Sequence, residues 1–86
     1  MGEEKIGFVS NYFGKISVAA VETTDGKVSV GDTLHFLGHT TDFELTVHSM
    51  QIEHKSVTVA KKNDSVGIKV PEKVREGDKV YKIVDE

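Results

Sequence analysis

The sequence predicts an all-β fold, a small closed Greek-key barrel of six to seven strands filling a single domain over residues 1–86. Apolar residues recur with period two, tight-turn dipeptides punctuate the chain at short intervals, and no segment carries a sustained helical stripe. Short strands without a helix to cover a sheet face must bury that face against each other, and closure removes edges that invite pairing with other chains.

The strands follow in order. Lys5 to Phe13 and Lys15 to Glu22 open the chain, with Phe8, Val9, Tyr12 and Phe13 placing apolar groups on both parities, as two-sided burial at a barrel closure would require. These aromatics could offer a stacking surface for bases, but closing the barrel accounts for them better. Val28, Val30, Leu34 and Phe36 share one parity; Phe43, Leu45 and Val47 form the next set. Val57 and Val59 alternate with Ser56 and Thr58, and Val66, Ile68 and Val70 with Ser65, Gly67 and Lys69. Asp25-Gly26, Gly31-Asp32, Asn63-Asp64 and Gly77-Asp78 mark turns, and Pro71 ends ladder pairing after Val70. Lys27 to Leu34 and Lys73 to Val80 share the pattern Lys-Val-x-x-Gly-Asp-x-aliphatic, which reads as one turn type used twice to launch a strand.

Composition narrows the function classes. At 86 residues the chain has room for one core. It has no Cys, which removes disulfides and thiolate zinc sites and makes the cytoplasm the simplest location. No apolar run reaches membrane-spanning length, and the acidic start Met1-Gly2-Glu3-Glu4 is unlike a signal peptide. The net charge of −3 argues against a strongly basic nucleic-acid binder. Charge is nonetheless uneven. Residues 1–50 carry Lys5, Lys15 and Lys27 against seven carboxylates, whereas residues 51–86 carry eight cations against seven carboxylates. Lys55, Lys61, Lys62 and Lys69, with His54 beside them, form a local basic cluster that could engage RNA phosphates or an acidic protein surface; a merely solvated surface is the competing explanation.

Other chemistry finds little support. His35 and His48 lie on the polar parity of their strands, and His39 and His54 at connections, without the third and fourth ligands that a metal needs. No nucleophile elbow and no phosphate-binding Gly-x-x-x-x-Gly-Lys-Ser/Thr loop occurs, so no enzyme, cofactor or bound nucleotide is expected of the chain itself.

Four pieces, Val30-Gly31-Asp32-Thr33-Leu34, Ser49-Met50-Gln51 leading to His54-Lys55 and Val57, Asn63 to Ile68, and Glu76 to Val80, resemble in order and spacing the second domain of translational GTPases such as elongation factor Tu. The bacterial initiation factor that delivers initiator tRNA carries a similar barrel. So do the C-termini of some peptidase-like proteins implicated in tRNA modification. The resemblance implies a free-standing, non-catalytic module of translation or tRNA metabolism, with tRNA, the ribosome or a larger translation or tRNA-modification protein as partner. The alternative is a protein-interaction subunit that completes a larger enzyme lacking its own barrel, without direct RNA binding. The family's aminoacyl pocket does not carry over: Phe8 could match its aromatic, but Lys5, Ile6, Ser49 and Ser65 stand where it has acidic residues and Asn.

Overall fold

In the computed structural model the chain is described over residues 2–84; Met1, Asp85 and Glu86, at the ends of the expected domain, lie outside the described residues. Ten strands follow one another: β1 (Gly2–Phe13), β2 (Val18–Glu22), β3 (Val28–Ser29), β4 (Thr33–Leu37), β5 (Asp42–Thr46), β6 (Met50–Ile52), β7 (Lys55–Val57), β8 (Val59–Ala60), β9 (Ser65–Lys69) and β10 (Lys79–Val84). Eight form one sheet in the order β5-β4-β10-β1-β2-β9-β6-β7, and β3 pairs with β8 in a two-stranded ribbon. Every pairing is antiparallel, and the described residues contain no helix.

The all-β expectation is correct, whereas a barrel of six or seven strands closed by a continuous ladder is not what the hydrogen bonding describes. The sheet ends at β5 and β7. The strand count rises because bends cut long runs into pieces. A turn at Glu53–His54 and a bend at Thr58 divide the stretch from Met50 to Ala60 into β6, β7 and β8.

The apolar parity points inward and builds one core that includes Val21, Leu34, Phe36, Met50, Val66 and Ile68. Phe36 and Phe43 face each other across the β4–β5 pair with ring centroids 5.1 Å apart. β1 departs from simple alternation for a different reason than two-sided burial. Register shifts at Lys5/Gly7 and Val9/Asn11 insert extra residues, so Ile6 and Val9 both face inward although they differ in parity. Phe8 and Phe13 are thereby turned outward and exposed, which corrects their expected core role, while Tyr12 packs partly against the core. The first bulge brings the backbones of β1 and β2 close together: a Cβ on Gly7 would lie 1.7 Å from the Glu22 carbonyl oxygen. Val30 and Val59 also leave their expected faces and are exposed; Ala60 takes the inward position beside Val59.

Three corners of one design launch β4, β9 and β10. In Ser29–Asp32, Lys61–Asp64 and Arg75–Asp78 the last residue's N–H donates to the first residue's carbonyl at 3.0, 3.0 and 3.1 Å. The third residue has positive φ, 99° at Gly31, 74° at Asn63 and 90° at Gly77, which the turn type demands and which glycine or asparagine supplies. Each aspartate carboxylate then accepts the N–H of the first residue, at 2.8 Å (Ser29), 2.9 Å (Lys61) and 2.9 Å (Arg75). An aliphatic residue before and another after each corner is buried: Val28 and Leu34, Ala60 and Val66, Val74 and Val80. The turn recognised twice in the sequence is thus used three times. Asp78 is itself buried and nests where Gly38 has no side chain, since a Cβ there would lie 1.9 Å from its Oδ1.

Candidate binding trough on the outer sheet face

The outward positions of β2, β9 and β6 are the other half of the same alternation. Pairing sets Ala20 beside Gly67 and Gly67 beside Gln51, so the middle row across three strands is floored by the two smallest side chains available. On one side of this row Val18 stands beside Lys69, and on the other Glu22 stands beside Ser65. This low floor and the side chains around it make a trough of about 610 Å³. Phe13, Ile16 and Val18 form its apolar flank, and Gln51, Glu53 and His54 its polar flank. Ile16 is 61% exposed and Phe13 47%, a large apolar surface to leave facing water on so small a domain.

Electrostatics differ between the two ends. Glu22 is fixed by hydroxyl donors: Ser65 Oγ donates to its Oε2 at 2.6 Å and Ser10 Oγ at 3.1 Å. Glu53 extends the acidic side from the β6–β7 hairpin tip. At the opposite end Lys69 is exposed and no carboxylate among the described residues is within ion-pair distance of it. A smaller hollow of about 430 Å³ adjoins there, sharing Ser49 and Lys69 and reaching Leu45, His48 and Pro71. At the tip, Glu53 and His54 have φ of 51° and 65°. A two-residue hairpin of this hand prefers Asn-Gly, and side chains with a Cβ pay roughly 1–2 kcal/mol each in this region.

All five residues of the basic cluster are exposed. His54 and Lys55 belong to the hairpin tip, which the β6–β9 register carries toward the Ser65 end of β9, and Lys61 and Lys62 sit in the corner that enters the same end. Lys69 is four residues along β9, roughly 13 Å away at strand spacing. The register therefore sets four of the residues toward the Ser65 end of β9 and the fifth at its other end.

His35 has partners that the sequence did not reveal. Its Nδ1 lies 3.0 Å from Glu3 Oε1 and its Nε2 2.6 Å from Asp42 Oδ1, so one imidazole ties β1 to β5 across β10 and β4. Hydrogen bonding to Asp42, then to Glu3, holds its pKa above the usual 6.5 against a smaller opposing effect of burial. Each ring nitrogen faces a different carboxylate, a charge clasp and not a shared metal site. Among the described residues no three His, Cys, Asp or Glu side chains are placed to hold a metal ion. His39 and His48 are exposed.

The trough floor was the feature missed in the sequence. Its one available signal was Gly67 in the middle of an otherwise regular strand, a residue that often marks close approach of a ligand or another backbone.

Comparison with known proteins locates the chain. No family model matches it. Over 78 residues it is 47% identical to an uncharacterized protease of Methanocaldococcus jannaschii, covering 90% of this chain and 19% of that protein. It is 33% identical over 78 residues to a collagenase of Porphyromonas gingivalis, covering 90% of this chain and 22% of the collagenase. The chain thus spans about a fifth of the length of the curated relatives it matches. Its fold is similar to the crystallised C-terminal domain of a Geobacillus thermoleovorans protein described as a U32 peptidase, with a TM-score of 0.86, 20% identity, and coverage of 94% of this chain and 93% of that one.

These findings overturn the expected kinship with elongation factor Tu and, with it, the translation and RNA-binding module. The resemblance rested on three Gly-Asp or Asn-Asp corners and a bent central strand, which specify how a small β-fold turns and carry no information about its ligand. The expectation of a chain that is no enzyme is corrected too, because the relatives are named for proteolysis. Scanning 86 residues for a nucleophile motif says nothing of groups on the other four-fifths of such proteins. No helix is long and apolar enough to cross a membrane among the described residues.

Proposed function

We propose that this chain works as an accessory β-domain of a U32-type peptidase, joined to or assembled with a larger part and handling polypeptide for it. One observation carries this reading: 47% identity over 78 residues to a segment that makes up 19% of a protein named as a protease. The fold likeness to the C-terminal domain of a protein described as a U32 peptidase supports it. Of the two readings of the sequence, the subunit that completes a larger enzyme is the one retained.

Two finer elements belong to the same proposal. The β3–β8 ribbon closes the sheet into a barrel, supported by Val30 N–H to the Thr58 carbonyl (2.9 Å), Gly31 N–H to the Val47 carbonyl (2.8 Å) and Val47 N–H to the Asp32 carbonyl (2.9 Å). His54, Lys55, Lys61 and Lys62, exposed at one end, meet the larger part through acidic groups on it.

The test removes the matching segment from the Methanocaldococcus jannaschii protein and fuses this chain in its place, with cleavage of casein as the readout. Cleavage is expected to fall on deletion and to return with the fusion. A folded fusion that cleaves no better than the deletion, while the intact protein is active, would overturn the reading.

A further inference from the structure

We propose that the outer trough of β2, β9 and β6 is a binding site for an extended polypeptide whose alternate residues are acidic, apolar and basic. The inference rests on the peptidase reading and names the class of ligand handled by this domain.

The trough has the period of an extended chain built into it. Along β9 the outward positions Ser65, Gly67 and Lys69 recur every second residue, roughly 6.7 Å apart. A peptide in β conformation laid along β9 presents one face of its own side chains at the same interval. Three successive side chains therefore meet three environments. The middle one reaches the floor of Ala20 and Gly67, where the absence of side chains leaves depth, with the Val18–Lys69 row, backed by Phe13 and Ile16, rising on one side of it. An aliphatic side chain fits there and covers apolar surface that otherwise faces water. The side chain toward Lys69 meets an exposed ammonium with no ion-pair partner among the described residues, and an acidic group complements it. The side chain at the other end meets Glu53 in the trough wall, with the hydroxyl-anchored Glu22 just beyond it beside Ser65, and a basic group complements that acidic end. Charge complementarity at both ends thus fixes which way the peptide runs. The Gly67 gap is specific: a Cβ at this position would lie 3.3 Å from Val18 Cγ1, so a larger side chain fills the floor without striking backbone closer than the 3.7 Å to the Gln51 carbonyl oxygen.

The experiment uses the chain with an acetylated, amidated probe of sequence Gly-Glu-Ser-Leu-Ser-Lys-Gly, followed by amide chemical shifts in a titration. Saturable shifts are expected at Ala20, Gln51, Gly67 and Lys69. Replacing the probe's Leu by Ser, or both its charged residues by Gln, is expected to weaken binding at least fivefold. Gly67→Val is expected to weaken it at least tenfold. Lys69→Glu is expected to weaken the original probe and to bind a probe with Lys in place of Glu better than wild type does. Shifts centred elsewhere, no saturable shifts, or equal affinity in wild type and a folded Gly67→Val would overturn the proposal. If the Methanocaldococcus jannaschii protein fused to this chain is active while the probe fails to bind, the trough assignment falls and the accessory role stands.

Discussion

The two faces of β9 differ in what they are asked to do. Val66 and Ile68 point inward and are almost wholly buried, whereas Ser65, Gly67 and Lys69 point outward to form the spine of the trough. On the inner face size and apolarity are dictated by neighbours on β2 and β6, because close-packed interiors tolerate neither gaps nor excess. On the outer face the two smallest side chains are aligned across adjacent strands, where a Cβ on Gly67 would meet the Val18 side chain at 3.3 Å and the nearest backbone atom at 3.7 Å. The inner face answers to stability, and the outer one carries the proposed peptide site.

The largest loss falls at the bulge that lets β1 turn its residues. Gly7→Ala places a Cβ 1.7 Å from the Glu22 carbonyl oxygen, which only backbone displacement relieves. A loss of at least about 4 kcal/mol is expected in urea unfolding. On the inner face of β9, Ile68→Ala is expected to cost about 2–5 kcal/mol by the same measurement. Asp78→Ala removes a buried carboxylate and the acceptor of the Arg75 N–H, with an expected loss of about 1–3 kcal/mol. The histidine clasp, a half-buried imidazole held between two exposed carboxylates, comes next, at under about 1 kcal/mol. Because Asp42 and Glu3 raise the folded pKa of His35, its contribution is complete below the unfolded value of 6.5 and disappears as pH rises through the folded value. The gap in urea midpoint between wild type and His35→Gln should therefore be widest near pH 6 and close on the alkaline side; a gap that widens with pH would refute the clasp. The smallest effect is expected on the outer face, where Gly67→Val and Lys69→Glu should each shift stability by less than about 0.5 kcal/mol.

What was legible in the sequence follows the same division. Val66, Ile68 and Val70 sit inside as their alternation requires, and the Gly31-Asp32, Asn63-Asp64 and Gly77-Asp78 corners stand where these dipeptides place them. Both signals are local, one in side-chain period and the other in backbone conformation. Phe8 and Phe13 escaped because bulges shift register, and a bulge residue looks like any other until its partner strand is known. The trough escaped for a related reason. It is made by Ala20, Gly67 and Gln51 lying side by side, a fact of strand order that spacing along the chain does not contain. His35 likewise finds Glu3 and Asp42 only because β1, β10, β4 and β5 are neighbours in the sheet. Function was misread where family likeness was inferred from corners, since any small β-fold needs them.

Casein cleavage by the Methanocaldococcus jannaschii protein carrying this chain in place of its own segment, measured for the native sequence and for Gly67→Val at equal melting temperature, tests the account most directly. A drop of severalfold in the Gly67→Val fusion is the predicted result, with no change in folding. Equal rates for the two fusions would contradict the separation of a folding face from a working face.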